Sequence, residues 1–242
     1  MQAHSSSSSE GALARTADGR LGALAAIEGG LVVSCQAQQG SPMRDTATIA
    51  RLAASALQGG AVALRVNGPD DVSAVRPLTD VPVIGLDKRM GPRRNIITPT
   101  DEQVLALAAA GADVVAVDAT AEVAGDVASR VRSAVLAVPL PIMADASTLD
   151  EGLAAWDAGA TFVGTTLSGY TPYSRMDPGP DIELVAELAS RGVRVLAEGR
   201  FQTPEQVARA FDAGAFAVVV GGAITDPIAI TRRFAAATPR ST

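Results

Sequence analysis

The sequence predicts a (β/α)₈ barrel, the TIM barrel of eight parallel strands, and three observations carry that reading. Eight short runs of Val, Ile, Leu and Ala recur along the chain, Ala/Leu-rich helical stretches separate them, and the spacing is even from Gly30 onward. Continuous apolar runs mark strands covered on both faces, as parallel strands are. Eight evenly spaced units favour a closed barrel over the competing doubly wound open sheet. A chain of 242 residues has the usual length for one such barrel and can bury a large core.

The elements follow in order. Residues 1–19, which include the run Ser5–Ser9, read as a disordered tail, leaving residues 20–242 as a single barrel domain. Leu21 to Ile27 reads as a short helix closing the barrel bottom. Strands are expected at Leu31–Ser34, Ala61–Leu64, Pro82–Leu86, Val114–Val117, Pro141–Ala144, Phe162–Thr165, Val193–Ala197 and Ala217–Val220. Thr203-Pro204-Glu205-Gln206 offers an N-cap, a proline at the first helical position and a capping-box partner. Thr100, and Ser147 or Thr148, cap two other helices. The phrases Ala110-Gly111-Ala112, Ala158-Gly159-Ala160 and Ala213-Gly214-Ala215 each end a helix just before a strand, with glycine as the left-handed cap.

Composition narrows the function. Hydrophobic residues make up 48% and aromatics only 3%, so small aliphatic side chains must build the core. A net charge of -6 without any basic run argues against nucleic acid or an anionic membrane as partner. No apolar segment approaches a membrane span, and no secretory signal opens the chain. The single cysteine, Cys35, permits no intrachain disulfide and fits a reducing compartment, so a cytoplasmic location is expected.

The chemistry must lie at the C-terminal strand ends and the loops that follow them. The only histidine, His4, falls in the tail, which removes histidine acid–base catalysis, Ser-His-Asp triads and nearly all zinc sites. Proton transfer then rests on lysine, carboxylates or tyrosine. Among 20 basic residues Lys88 is the single lysine, at the end of the third strand. Guanidinium stays protonated, whereas a desolvated ammonium can lose its proton near neutral pH, and Arg65 and Arg89 are placed to depress it further. Glu198 ends the seventh strand after an apolar run and should point into the barrel mouth. Asp145 and Asp118, also at strand ends, are read either as salt-bridge partners or as groups that orient Lys88 or hold substrate hydroxyls.

Gly199-Arg200 and Gly221-Gly222, after strands seven and eight, are where such barrels bind phosphate, glycine letting backbone N–H groups approach the anion. The segment Gly164–Thr171 opens a long loop through Pro180. Its hydroxyls, Thr165 and Tyr170 among them, suit a mobile cover over a sugar.

Several runs occur together in one familiar order. They are Val33–Ala37, Arg65–Gly68, Asp87–Arg89, Ile97–Thr100, Met143–Thr148, Gly164–Tyr173, Ala197–Arg200 and Val218–Thr225. The chain, over about residues 20–236, resembles the N-acylglucosamine-6-phosphate 2-epimerases, also called N-acetylmannosamine-6-phosphate 2-epimerases. The resemblance implies interconversion of N-acetylmannosamine 6-phosphate and N-acetylglucosamine 6-phosphate in sialic acid catabolism, without a metal or organic cofactor. It implies that Lys88 and Glu198 carry proton transfer at C2 and that Gln36, Arg65 and Asp145 surround the sugar. A small phosphosugar is the expected partner, and a homodimer is left open. Two departures accompany it. Asp226 stands where family members carry arginine, and Ala121-Glu122-Val123-Ala124 replaces an arginine-bearing stretch after strand four. Two rival readings are a Schiff-base aldolase with Lys88 as nucleophile and a non-catalytic phosphosugar sensor.

Overall fold

In a computed structural model of the chain, which describes residue 22 and residues 25–240, eight strands close into a parallel barrel. Ten strands occur in chain order: β1 (Leu31–Cys35), β2 (Ala63–Asn67), β3 (Val83–Leu86), β4 (Lys88–Met90), β5 (Asn95–Ile97), β6 (Val114–Asp118), β7 (Ile142–Asp145), β8 (Phe162–Gly164), β9 (Val195–Glu198) and β10 (Ala217–Val220). The barrel runs β1-β2-β3-β6-β7-β8-β9-β10 and back to β1, while β4 and β5 form a separate antiparallel hairpin. The eight expected strands are all present. The second starts two residues later than expected, which moves Arg65 from the strand's end to its middle. The tail expectation for residues 1–19 lies outside the described residues, as do Leu21, Ala23 and Leu24 of the helix expected over Leu21–Ile27. Of the latter, residues 25–27 are helical and Ile27 is buried in the barrel interior.

The helices are α1 (Thr46–Gln58), α2 (Pro69–Val75), α3 (Asp101–Ala109), α4 (Ala121–Ala124), α5 (Val127–Ala137), α6 (Leu149–Asp157), α7 (Ile182–Ser190), α8 (Pro204–Asp212), α9 (Gly222–Thr225) and α10 (Pro227–Ala235). Thr100, Thr148 and Thr203 each form a reciprocal capping box at the start of α3, α6 and α8, so Thr148 rather than Ser147 is the cap. Gly111, Gly159 and Gly214 all have positive φ, as the Ala-Gly-Ala phrases require.

Strand side chains alternate between two cores. Facing inward are Val32, Ala63, Ile84, Leu86, Ala116, Met143, Phe162, Leu196 and Val219. Facing the helices are Val33, Leu64 and Val115 on one arc of the barrel and Val195, Ala197 and Val218 on another. Continuing the inward series in steps of two leads to Ser34 and Gln36, Arg65 and Asn67, Lys88, Asp118, Asp145, Thr166, Glu198 and Gly221. The barrel's apolar plug thus passes, strand by strand, into a polar mouth, because side chains of an extended chain return to one face every second residue. Cys35 is out of phase, lies in the outer core, and burial pushes its thiol up to about 12.

Candidate active site

Arg65 organises the mouth. It is 1% exposed, and its guanidinium donates Nη1 to Glu198 Oε1 at 2.6 Å and Nη2 to Asp145 Oδ2 at 2.5 Å. Three strands, β2, β7 and β9, are joined by those two ion pairs. A buried arrangement of this kind is weak evidence for stability, since desolvation offsets much of the attraction, but removing one partner typically costs about 3–5 kcal/mol. Thr166 closes the far side, with Oγ1 at 2.5 Å from Asp145 Oδ1 and 3.2 Å from Glu198 Oε2.

Lys88 opens the β4–β5 hairpin directly after β3. Its backbone N–H donates to Asn67 Oδ1 at 2.8 Å. Lys88 is exposed at the open end of the barrel, yet protein crowds around its ammonium beside Arg65, Glu198 and Asp145. That crowding desolvates the ammonium and lowers its pKa. The nearby Arg65 charge lowers it further, and Glu198 and Asp145 pull in the opposite direction. Arg89 takes no such part; it turns out to solvent and pairs with Asp87 at 2.7 Å.

The hairpin itself was not expected. Gly91 makes it possible, because a Cβ there would lie 2.6 Å from the carbonyl oxygen of Arg94. Arg94 then anchors it to the barrel, donating to Asp118 Oδ2 at 2.7 Å, Asp118 Oδ1 at 3.2 Å and Thr120 Oγ1 at 2.7 Å. Asp118 also accepts from Thr120 and from the backbone of Ile97. Of its two expected roles, Asp118 fills the structural one.

The remaining site residues divide. Gln36 follows β1 and donates Nε2 to Ser34 Oγ at 2.7 Å, leaving its Oε1 buried without a partner. Such an atom wants a donor, and a substrate hydroxyl or amide would supply one. Thr165 is engaged elsewhere: Oγ1 donates to the Glu198 carbonyl at 2.9 Å and accepts its N–H at 3.1 Å, so it fixes the β9 end from behind. Tyr170 stands 52% exposed in the loop between β8 and α7, outside the ring of charges. Gly199 and Arg200 both take positive φ after β9, and Gly221 approaches Ser34 after β10. Arg200 does not join the ring either. It lies against Gly169, donates to the Asp177 carbonyl at 2.7 Å, and lines a polar cleft with Arg175, Gln206 and Arg209.

A family described as "Putative N-acetylmannosamine-6-phosphate epimerase" matches residues 49–240. The chain belongs to this family. A relative from Caldanaerobacter subterraneus subsp. tengcongensis, named "Putative N-acetylmannosamine-6-phosphate 2-epimerase", is 45% identical over 216 residues, 86% of this chain and 90% of that one. One of the same name from Klebsiella pneumoniae is 48% identical over 198 residues, covering 81% and 84%. The solved N-acetylmannosamine-6-phosphate 2-epimerase from Clostridium perfringens superposes with a TM-score of 0.81 at 40% identity, covering 88% of this chain and 94% of that chain. A thiamine phosphate pyrophosphorylase from Pyrococcus furiosus, 18% identical with a TM-score of 0.58, shares the fold alone.

The two stretches expected to depart from the family pattern are each engaged locally. Asp226 caps α10, its Oδ1 accepting from the N–H groups of Ile228 and Ala229 at 3.0 and 3.1 Å. Glu122, in α4, is matched by the hairpin: Arg93 donates to it from one side and Arg94 Nε lies 3.7 Å away on the other.

Proposed function

We propose that this chain interconverts N-acetylmannosamine 6-phosphate and N-acetylglucosamine 6-phosphate by removing and returning the proton at C2. The observation that carries the reading is the chain's single lysine, with a lowered pKa, beside the Arg65–Asp145–Glu198 cluster at the barrel mouth. With the sugar ring open, C1 is a carbonyl and the adjacent C2 proton becomes acidic. A neutral Lys88 amine takes that proton, and Glu198, 12% exposed in its side chain, serves the opposite face. Two cations and two carboxyl groups give the site a useful proton inventory. Neutral Lys88 with one protonated carboxyl has the same net charge as Lys88 ammonium with two carboxylates. The two states serve the two directions of the reaction, and neither adds charge to the buried cluster.

Gln36, with its unpartnered oxygen, holds a sugar or N-acetyl donor. Backbone N–H groups of Gly199, Gly221 and Gly222 cradle the phosphate at the far end, with Arg200 at the edge, so that binding energy remote from C2 positions the reacting carbon. Thr165 supports Glu198, and Tyr170 covers the mouth when the loop closes. The reaction runs in the cytoplasm, where one reduced cysteine suits the compartment. Among the described residues no helix is long and apolar enough to cross a membrane.

A homodimer fits the C-terminal helix. No residue of α10 is buried, and Phe234 is 75% exposed. An apolar groove lined by Leu31, Leu52, Ala56 and Ile224 lies open between β1, α1 and α9. A second copy covering this face would bury both.

Proton NMR of N-acetylmannosamine 6-phosphate with the protein in deuterated buffer tests the reading. Epimerised product with deuterium at C2 is expected. Absence of reaction sinks the function, and product that keeps its original proton sinks the assignment of separate groups on the two faces.

A further inference from the structure

Thr166 completes a ring that Arg65 opens. On the Arg65 side, one guanidinium nitrogen serves Glu198 Oε1 and the other Asp145 Oδ2. On the other side, the remaining oxygens of the same two carboxyl groups meet a single hydroxyl, at 2.5 Å for Asp145 Oδ1 and 3.2 Å for Glu198 Oε2. A threonine hydroxyl has one proton and two lone pairs. If it donates to one carboxylate, it faces the other as acceptor against acceptor. Both contacts are satisfied only when one carboxyl group carries a proton of its own and gives it to Oγ1. The ring therefore has a place for one extra proton. That proton can rest on Asp145 or on Glu198, with the hydroxyl reversed between the two states.

We infer that Thr166 is a positioning residue that passes one proton between the buried Asp145 and the more accessible Glu198. The step balances. The proton on Asp145 Oδ1 moves to Thr166 Oγ1 while the hydroxyl proton moves to Glu198 Oε2, leaving Asp145 a carboxylate, Glu198 a carboxylic acid and Thr166 unchanged. Asp145 is wholly buried and cannot trade protons with water directly, whereas the Glu198 side chain reaches the mouth. The charged groups facing the pair are Arg65 from β2, Lys88 from β4 and Asp118 from β6. Burial pushes Asp145 up to about 7; Arg65 opposes that rise and Glu198 and Asp118 add to it, so Asp145 is suited to hold the proton between turnovers. The inference rests on Lys88 and Glu198 being the acid–base pair at C2.

Thr166→Val removes the hydroxyl and keeps the shape; Thr166→Ser keeps the hydroxyl. Thr166→Val should lower kcat by about 10- to 100-fold, the range that one hydrogen bond to a charged group is worth, with KM little changed. It should also displace the limb of the pH–kcat profile that reports the shared proton. Thr166→Ser should restore both. A valine variant with wild-type kcat and pH profile overturns the proposal, and so does a serine variant as impaired as the valine one. Carbon-13 NMR of the carboxyl groups in the wild-type protein needs no variant: a proton shared through Thr166 should move the Asp145 and Glu198 carboxyl signals together as pH is changed, and an Asp145 signal that responds while that of Glu198 stays constant overturns the relay. Glu198→Gln separates this from the parent reading. Full turnover by that variant sinks Glu198 as an acid–base group, whereas an inactive Glu198→Gln beside a fully active Thr166→Val sinks the relay alone.

Discussion

The side-chain oxygen of Asn67 accepts the backbone N–H of Lys88 at 2.8 Å, so the last residue of β2 fixes the first residue of the β4–β5 hairpin. The bond sets where the lysine stem begins, two residues beyond the inward-facing Leu86. Asn67→Ala frees that anchor without touching the ammonium. Steady-state kinetics should show kcat lowered about two- to tenfold, in line with the roughly 0.5–1.5 kcal/mol of one neutral hydrogen bond. An unchanged kcat would mean that the hairpin is held by Arg94 and Asp118 alone.

Lys88→Arg conserves charge and should still abolish turnover. Arginine offers no neutral nitrogen at working pH, and loss of general base catalysis costs about 10²–10⁴-fold in rate. The wild-type pH profile carries the same point. Lys88 has a lowered pKa, so its neutral fraction, and with it kcat/KM, should rise with pH along a limb below the ordinary lysine value of 10.5. An arginine variant with near-native turnover would leave Lys88 only the role of a cation.

Asp145 ties stability to pH. Its pKa is raised by burial from 3.8 to about 7 on folding. Between those values the folded protein holds a proton that the unfolded chain has released. Its contribution to stability is thus fully present below 3.8 and is lost as pH rises through about 7. Urea unfolding of the wild type should show stability falling over that window, and Asp145→Asn should flatten the slope. A slope of the opposite sign in the wild type would mean that Arg65 wins over burial and keeps Asp145 ionised.

How far the site was legible depended on phase. Phe162 faces inward, so Gly164 and then Thr166 do too. Counting by two from Phe162 selects Thr166 over Thr165, and the same count from Ala63 reaches Arg65 and Asn67. Composition and elimination singled out Lys88 and Glu198 as candidates, since one lysine and no histidine outside the tail left few proton carriers. Phase was carried by the same residues and would have found Thr166 and Asn67. The hairpin was hidden for another reason. Its strands are three residues each and mostly exposed, with little apolar alternation, and what holds it is Arg94 reaching 24 residues along the chain to Asp118. Arg200 was placed correctly in sequence, but its direction is set by a loop contact to Asp177 that no local pattern announces.

Asp226 has two properties that two substitutions can separate. Its carboxylate caps α10 through Ile228 and Ala229, and its Cβ sits within 3.6 Å of the point where a side chain on Gly222 would begin, beside the expected phosphate cradle. A negative charge there repels a phosphate dianion, although solvent screens part of the effect. Asn caps about as well as Asp, so Asp226→Asn should leave stability nearly unchanged while lowering KM for a 6-phosphorylated sugar. Being distant from C2, the change acts equally on ground and transition states, so kcat should stay constant. Asp226→Ala removes both charge and cap; it should lower KM similarly but cost about 0.5–2 kcal/mol in unfolding free energy. Asp226→Arg also loses the cap, so any gain in phosphate affinity comes with that same destabilisation. Kinetics at one ionic strength, paired with thermal unfolding, read both effects. A KM for Asp226→Asn equal to the wild type would make Asp226 a helix cap and nothing more, and would place the phosphate beyond the reach of its charge.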